Sequence, residues 1–218
     1  MAKKLNIFIT GGNRGIGKGL VEYFSKEHIV TYSARSEKDK PVAGAARVIF
    51  DVRDEKSIQQ AVISLDKRFD MLINNAGVLY DYQTPALQAD IEQIKETFDI
   101  NTLGPLRVCR AIVPIMNKGG RVINISSGMG QLSDMGSGAI AYRLSKSALN
   151  ALTKVLANEL YREDISVNTL CPGWVKTDMG GMHATRTIED SVSKIVEFAL
   201  RDDFPSGKFV RDGLPIPW

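Results

Sequence analysis

Short apolar runs rich in β-branched residues alternate along the chain with longer segments whose apolar residues recur every three or four positions. Residues 5–10, 29–34, 47–51, 71–74, 121–126 and 165–170 read as buried strands, and 208–210 as an edge strand. Between them, residues 16–26 place Ile16, Leu20, Tyr23 and Phe24 on one helical face, and residues 55–67, 91–116, 142–161 and 188–200 also read as helices. Pro105 and Pro114 are expected to kink or break the third of these. The longest loops fall at 126–138 and 177–187. Strand and helix in strict alternation predict an α/β Rossmann fold. This is a doubly wound parallel sheet of about seven strands with helices on both faces, reached by right-handed crossovers. Residues 1–218 are expected to form one domain. Ligands bind such sheets outside the carboxyl ends of the strands, so the residues that follow each strand carry the chemistry.

Composition narrows the partners. The apolar fraction of 44% and charged fraction of 24% are those of a globular protein. A net charge of +3 is too small for a nucleic-acid binder. No stretch reaches the roughly 20 apolar residues of a membrane span. The first ten residues put two lysines before an apolar run that stops at Gly11 and Gly12, too short for a secretory signal. A cytoplasmic location is therefore expected, and the widely separated Cys109 and Cys171 suit a reducing compartment. His28 and His183 are too scattered to suggest a metal site, and none is expected.

The first strand runs into Thr10-Gly11-Gly12-Asn13-Arg14-Gly15-Ile16-Gly17 at the start of a helix. Glycines let backbone N–H groups approach an anion, and a helix N-terminus favours negative charge. The second strand ends at Ala34-Arg35-Ser36, where an NAD reader usually carries an acid for the ribose diol. Arg35, with Arg14 in the glycine loop, suits a 2′-phosphate instead, because a guanidinium binds phosphate through paired charge-assisted bonds. Glu37 is the competing candidate, since a count from the glycines puts a ribose acid near it. Asp51-Val52 closes the third strand and Asn74-Asn75-Ala76-Gly77 the fourth. Tyr142 and Lys146 share a helix face one turn apart, where the ammonium is expected to draw the phenol's pKa toward neutrality. Ser126 and Ser127 close the fifth strand, and either hydroxyl could polarise a carbonyl. Cys171-Pro172-Gly173-Trp174-Val175-Lys176-Thr177 follows the sixth.

In this order and over essentially the whole chain, these motifs resemble the short-chain dehydrogenase/reductase family. The matching patterns are T-G-x-x-x-G-x-G at 10–17, N-N-A-G at 74–77, Y-x-x-x-K at 142–146 and P-G-x-x-x-T at 172–177. The resemblance implies an NADP(H)-dependent oxidoreductase acting on a small carbonyl or alcohol substrate, with transfer of the pro-S hydride. It implies a catalytic set of Asn101, Ser127, Tyr142 and Lys146, in which Tyr142 donates the proton and Asn101 holds a water linking Lys146 to solvent. The spacing from Ser127 to Tyr142 is a couple of residues longer than is commonest in the family. The cofactor would be held by Gly11, Asn13, Arg14, Gly15, Ile16, Gly17, Arg35, Asp51, Val52, Asn75, Ala76, Gly77, Tyr142, Lys146, Pro172, Gly173, Val175 and Thr177. Asp51 would meet the adenine amino group and the Val175 backbone the carboxamide. A looser likeness at 177–181 and 213–218 is to the branch containing the sniffer carbonyl reductase and the C-factor signalling protein. It implies carbonyl reduction with NADPH, and Met179 and Met182 suit an apolar aldehyde or ketone. Met179, Met182 and His183 lie in the loop expected to cover the site. Relatives include monomers, so assembly as a homodimer or homotetramer is open. Two other readings are a cofactor-binding signalling or sensor protein with little turnover, and a sugar-nucleotide epimerase, for which the C-terminal part is short.

Overall fold

The structure, a computed structural model, describes residues 3–218. Its sheet is built from β1 (Asn6–Ile9), β2 (Ile29–Ala34), β3 (Ala45–Ile49), β4 (Phe69–Asn74), β5 (Met116–Ile125), β6 (Ile165–Cys171), β7 (Phe209–Arg211) and β8 (Leu214–Pro215). These eight strands lie in the order β3-β2-β1-β4-β5-β6-β7-β8. All adjacent pairs are parallel except β7 with β8, which is antiparallel.

Side-chain alternation along the strands divides the interior into two cores. On β1, Ile7 and Ile9 enter one and Phe8 the other, as the period of a pleated strand requires. The first core is covered by α1 (Gly15–Phe24), through Leu20, Val21 and Phe24, and by α6 (Ile188–Leu200), through Val192, Ile195 and Val196. The second is covered by Ile58 and Val62 of α2 (Glu55–Ile63), Val108 and Ile112 of α4 (Gly104–Ile112), and Leu156 of α5 (Ile140–Glu159). With helices on both faces of a parallel sheet, the α/β Rossmann architecture is as expected. β1 pairs with β2 on one side and β4 on the other, so the order of strands reverses between β1 and β4. The crevice that this reversal opens receives the loops after both strands.

Several boundaries differ from expectation. The single helix expected over 91–116 is α3 (Ile91–Phe98), a π-helical turn at Asp99–Leu103, α4, and a 3-10 turn at Val113–Ile115. Met116 already belongs to β5. Pro105 does not cause the break; it lies in the first turn of α4, where its missing N–H costs no helical bond. β3 begins two residues early because Val30 pairs with Ala45. The two exposed residues of β8 make one strand more than about seven. Among the described residues, no helix is long and apolar enough to cross a membrane.

Candidate active site

The glycine loop leaves β1 with Gly11 at φ 67 and Gly15 at φ 54, in the left-handed region that favours glycine. It is tied to its neighbours on both sides. The Gly11 N–H donates to the Ser33 hydroxyl at 3.2 Å, and the Asn75 amide donates to the carbonyls of Thr10 and Gly11 at 3.0 and 3.1 Å. The Thr10 hydroxyl in turn accepts from the N–H groups of Asn75 and Ala76, each at 3.0 Å. Arg14 precedes α1 without a side-chain cap, so the open N–H groups of the first turn face the cleft. A Cβ on Gly17 would strike the Gly11 carbonyl oxygen and the Asn75 amide. Gly17→Ala is therefore expected to lower stability by about 1–3 kcal/mol, the usual cost of overpacking, read as a fall in denaturant midpoint.

At the outer end of the cleft, Arg35 follows β2 and lines the wall, whereas Glu37 lies outside the lining. Arg14 pairs with Asp178 at 3.0 Å, joining the glycine loop to the loop after β6. Asn13 donates to Asp39 at 2.9 Å. Arg53 grips the Asp51 carboxylate through both its Nε and a terminal nitrogen, and this hydrogen bonding holds Asp51 below the usual carboxylate range.

Tyr142 and Lys146 project from one face of α5 into the inner end. Tyr142 is 8% exposed and Lys146 4%. The Lys146 ammonium sits 5.6 Å from the Tyr142 ring centroid and donates to the Ile125 carbonyl at 2.9 Å. The Ser127 hydroxyl lines the cleft beside the phenol and accepts from the Met129 N–H at 3.1 Å. Ser126 also lines the cleft, but its buried hydroxyl donates to the Lys146 carbonyl at 3.4 Å, and Ser127 is the serine that acts on Tyr142. The expected drift of the phenol toward neutrality does not occur. Burial pushes Tyr142 up to about 12 although Ser127 pulls the other way, and burial pushes Lys146 down to about 8. Desolvation is the largest cause of both shifts, disfavouring the charged form of each group.

These shifts have opposite consequences for stability. From about 8 up to the ordinary lysine value the unfolded chain holds a proton that folded Lys146 lacks, so that component of stability rises with pH. Between 10 and about 12 the folded phenol keeps a proton that the unfolded one loses, and its component falls. Chemical denaturation of wild type against Lys146→Met between pH 8 and 10 is expected to show the first rise only in wild type.

Asn101 lies in the π turn, a local distortion common at functional sites. Its amide accepts from the Val78 N–H at 2.8 Å and donates to the Val78 carbonyl at 2.9 Å and the Ser145 hydroxyl at 3.0 Å. It is fully buried and does not line the cleft. All the other residues picked out from the sequence as catalytic or cofactor-binding line one cleft. A Cβ on Gly77 would lie 3.2 Å from the Asn101 Oδ1 and 3.5 Å from the Lys146 Nζ, so this glycine keeps the floor open between them.

Sequence reasoning missed Ser33, Leu79, Tyr82, Met129 and Trp174, which also line the cleft. Each lies within a few residues of a strand end or motif, which was the available signal. The Trp174 indole donates to the Gly180 carbonyl at 2.8 Å and steadies the loop after β6. Met179 of that loop faces the cleft, whereas Met182 and His183 do not.

The donor set fits a phosphorylated dinucleotide. Open backbone N–H groups and two guanidiniums stand at one end, and a phenol with an ammonium at the other.

Comparison with known proteins agrees with this geometry. The family model described as short chain dehydrogenase matches residues 5–187. C-signal from Myxococcus xanthus is 39% identical over 154 residues, which cover 68% of this chain and 92% of C-signal. Carbonyl reductase Sniffer of D. melanogaster superposes with a TM-score of 0.89 at 28% identity, covering 99% of this chain and 100% of Sniffer. NADPH-bound carbonyl reductase from chicken fatty liver gives a TM-score of 0.89 at 27% identity, covering 100% of this chain and 96% of that one.

Proposed function

The chain belongs to the short-chain dehydrogenase family of oxidoreductases, and from that premise we propose that it reduces the carbonyl of a small apolar aldehyde or ketone with NADPH, Tyr142 donating the proton. The reverse reaction oxidises the corresponding alcohol. The observation that carries this reading is the meeting of Ser127, Tyr142 and Lys146 at the inner end of the cleft that Arg14 and Arg35 line at the outer end.

Bound NADPH supplies the hydride that adds to the carbonyl carbon. The backbone of Gly11, Asn13, Gly15, Ile16 and Gly17 cradles its diphosphate, while Arg14 and Arg35 take the 2′-phosphate. Asp51 and Val52 flank the adenine. Asn75, Ala76 and Gly77 give the cofactor room. Pro172, Gly173, Val175 and Thr177 enclose the nicotinamide, whose ribose Lys146 anchors. Tyr142 Oη gives its proton to the substrate oxygen, and Ser127 Oγ donates a hydrogen bond to the same atom. A phenol raised to about 12 is fully loaded as an acid at neutral pH. The Lys146 ammonium then offsets the charge left on Tyr142, and Asn101 serves the return of a proton through water.

Arg35 favours NADP over NAD because it adds positive charge where only the former carries a phosphate. Arg35→Glu is expected to cut the ratio of kcat/KM for NADPH over NADH at least about tenfold, equivalent to about 1.4 kcal/mol. An unchanged ratio would remove Arg35 from this role.

The likeness to C-signal favours a second reading, that of a signalling protein that binds NADP(H) with little turnover. An absorbance screen of NADPH and NADH oxidation over aldehydes, ketones and quinones separates the two. The reductase consumes NADPH with at least one carbonyl class, and the signalling protein binds it without consumption.

A further inference from the structure

One buried acid outside the proposed chemistry stands immediately behind Tyr142. Asp81 is 1% exposed, and its Oδ2 accepts a hydrogen bond from the Ala141 N–H at 2.6 Å. Ala141 is the residue before Tyr142 in the first turn of α5, where N–H groups have no partner within the helix. The residue that normally caps such a turn does not do so here. Ala139 sits in the left-handed conformation at φ 49, and α5 has no side-chain cap of its own. The missing acceptor comes from a loop 60 residues earlier in the chain.

That loop is also part of the cleft. Asn101 holds it at Val78, Leu79 and Tyr82 line the wall, and the Tyr82 carbonyl packs against Gly138 just ahead of α5. The other Asp81 oxygen, Oδ1, is buried without a hydrogen-bond partner among the described residues. A buried acid that makes a single hydrogen bond is a costly way to fill space, so packing alone does not account for it.

From this juxtaposition we infer that Asp81 is a positioning residue, which fixes the first turn of α5 against the substrate-lining loop and so sets where the Tyr142 phenol stands in the cleft. The catalytic part of this inference rests on the role proposed for Tyr142. Misplacement of a reacting group by about 1 Å costs on the order of a hundredfold in rate, so a loosened turn is felt in kcat before binding.

The test uses the full chain with Asp81→Ala and Asp81→Asn, the second keeping an acceptor for the Ala141 N–H. Amide hydrogen exchange of the ligand-free proteins is read over residues 140–143, and kcat, KM and NADPH dissociation constant are measured in parallel. Asp81→Ala is expected to exchange faster in that turn alone and to lose at least about tenfold in kcat with NADPH affinity unchanged. Asp81→Asn is expected to stay within about threefold of wild type in kcat, since the acceptor is what positions the turn. Should Asp81→Ala fail to fold, Asp81→Ser, whose hydroxyl is too short to reach the amide, takes its place with the same expectations. Unchanged exchange at 140–143, or equal losses in the Asn and Ala variants, overturns the inference. A wild type that reduces no carbonyl overturns the proposed function instead, and the exchange data still decide whether Asp81 holds the turn.

Discussion

Tyr142→Phe is expected to bind NADPH with unchanged affinity and to lose between about a hundredfold and ten-thousandfold in kcat, the range that a positioned general acid contributes. The substitution removes one oxygen and keeps the buried ring, so packing around α5 persists. Ser127 remains as a hydrogen-bond donor to the substrate oxygen, but a hydroxyl in that place cannot replace a proton lost to product. Burial that lifts the phenol to about 12 keeps it protonated throughout the physiological range, so the loss is expected to be flat from pH 6 to 8. Single-turnover measurements with preloaded NADPH separate this chemical loss from binding. Full turnover by the Phe variant contradicts the assignment of the proton donor.

Lys146→Met is expected to reduce kcat/KM by about a hundredfold to a thousandfold, the cost of removing a preorganised charged donor from a dry site. Unlike the tyrosine variant, it is also expected to weaken NADPH binding, because Lys146 is proposed to hold the nicotinamide ribose as well as to offset charge on Tyr142. Methionine fills nearly the same volume but leaves the Ile125 carbonyl without the 2.9 Å donor it has now. Fluorescence titration of NADPH alongside initial rates checks both halves. An undiminished rate with unchanged binding would place Lys146 outside the mechanism.

The sheet was legible because its strands are apolar runs of the right length, and the switch point because a glycine-rich turn follows the first of them. Tyr142 and Lys146 were legible as neighbours because four residues on a helix is a local relation. The family pattern pointed to Ser127 over Ser126, the long spacing to Tyr142 left that choice slightly open, and the commitment of the Ser126 hydroxyl to the Lys146 carbonyl favours Ser127. The π turn that carries Asn101 was hidden, since the apolar pattern continues through Asp99–Leu103 and the nearby prolines offered a more obvious cause for a break. The contacts of Asn101 with Val78 and of Asp81 with Ala141 join segments far apart in sequence, and no local pattern announces them. The pKa shifts were misjudged for a related reason. Proximity of an ammonium is visible in the spacing, but the burial that dominates both shifts is supplied by the surrounding elements.

In the proposed reaction this cleft couples hydride transfer to proton donation by Tyr142. Its most direct test is reduction of an aldehyde and ketone panel by NADPH carrying deuterium at the pro-S position of the nicotinamide C4. The label is expected on the carbinol carbon of the product, and the Tyr142→Phe variant is expected to bind the same NADPH but deliver almost none. Tight binding of NADPH by the wild type with no label transferred to any member of the panel would contradict it.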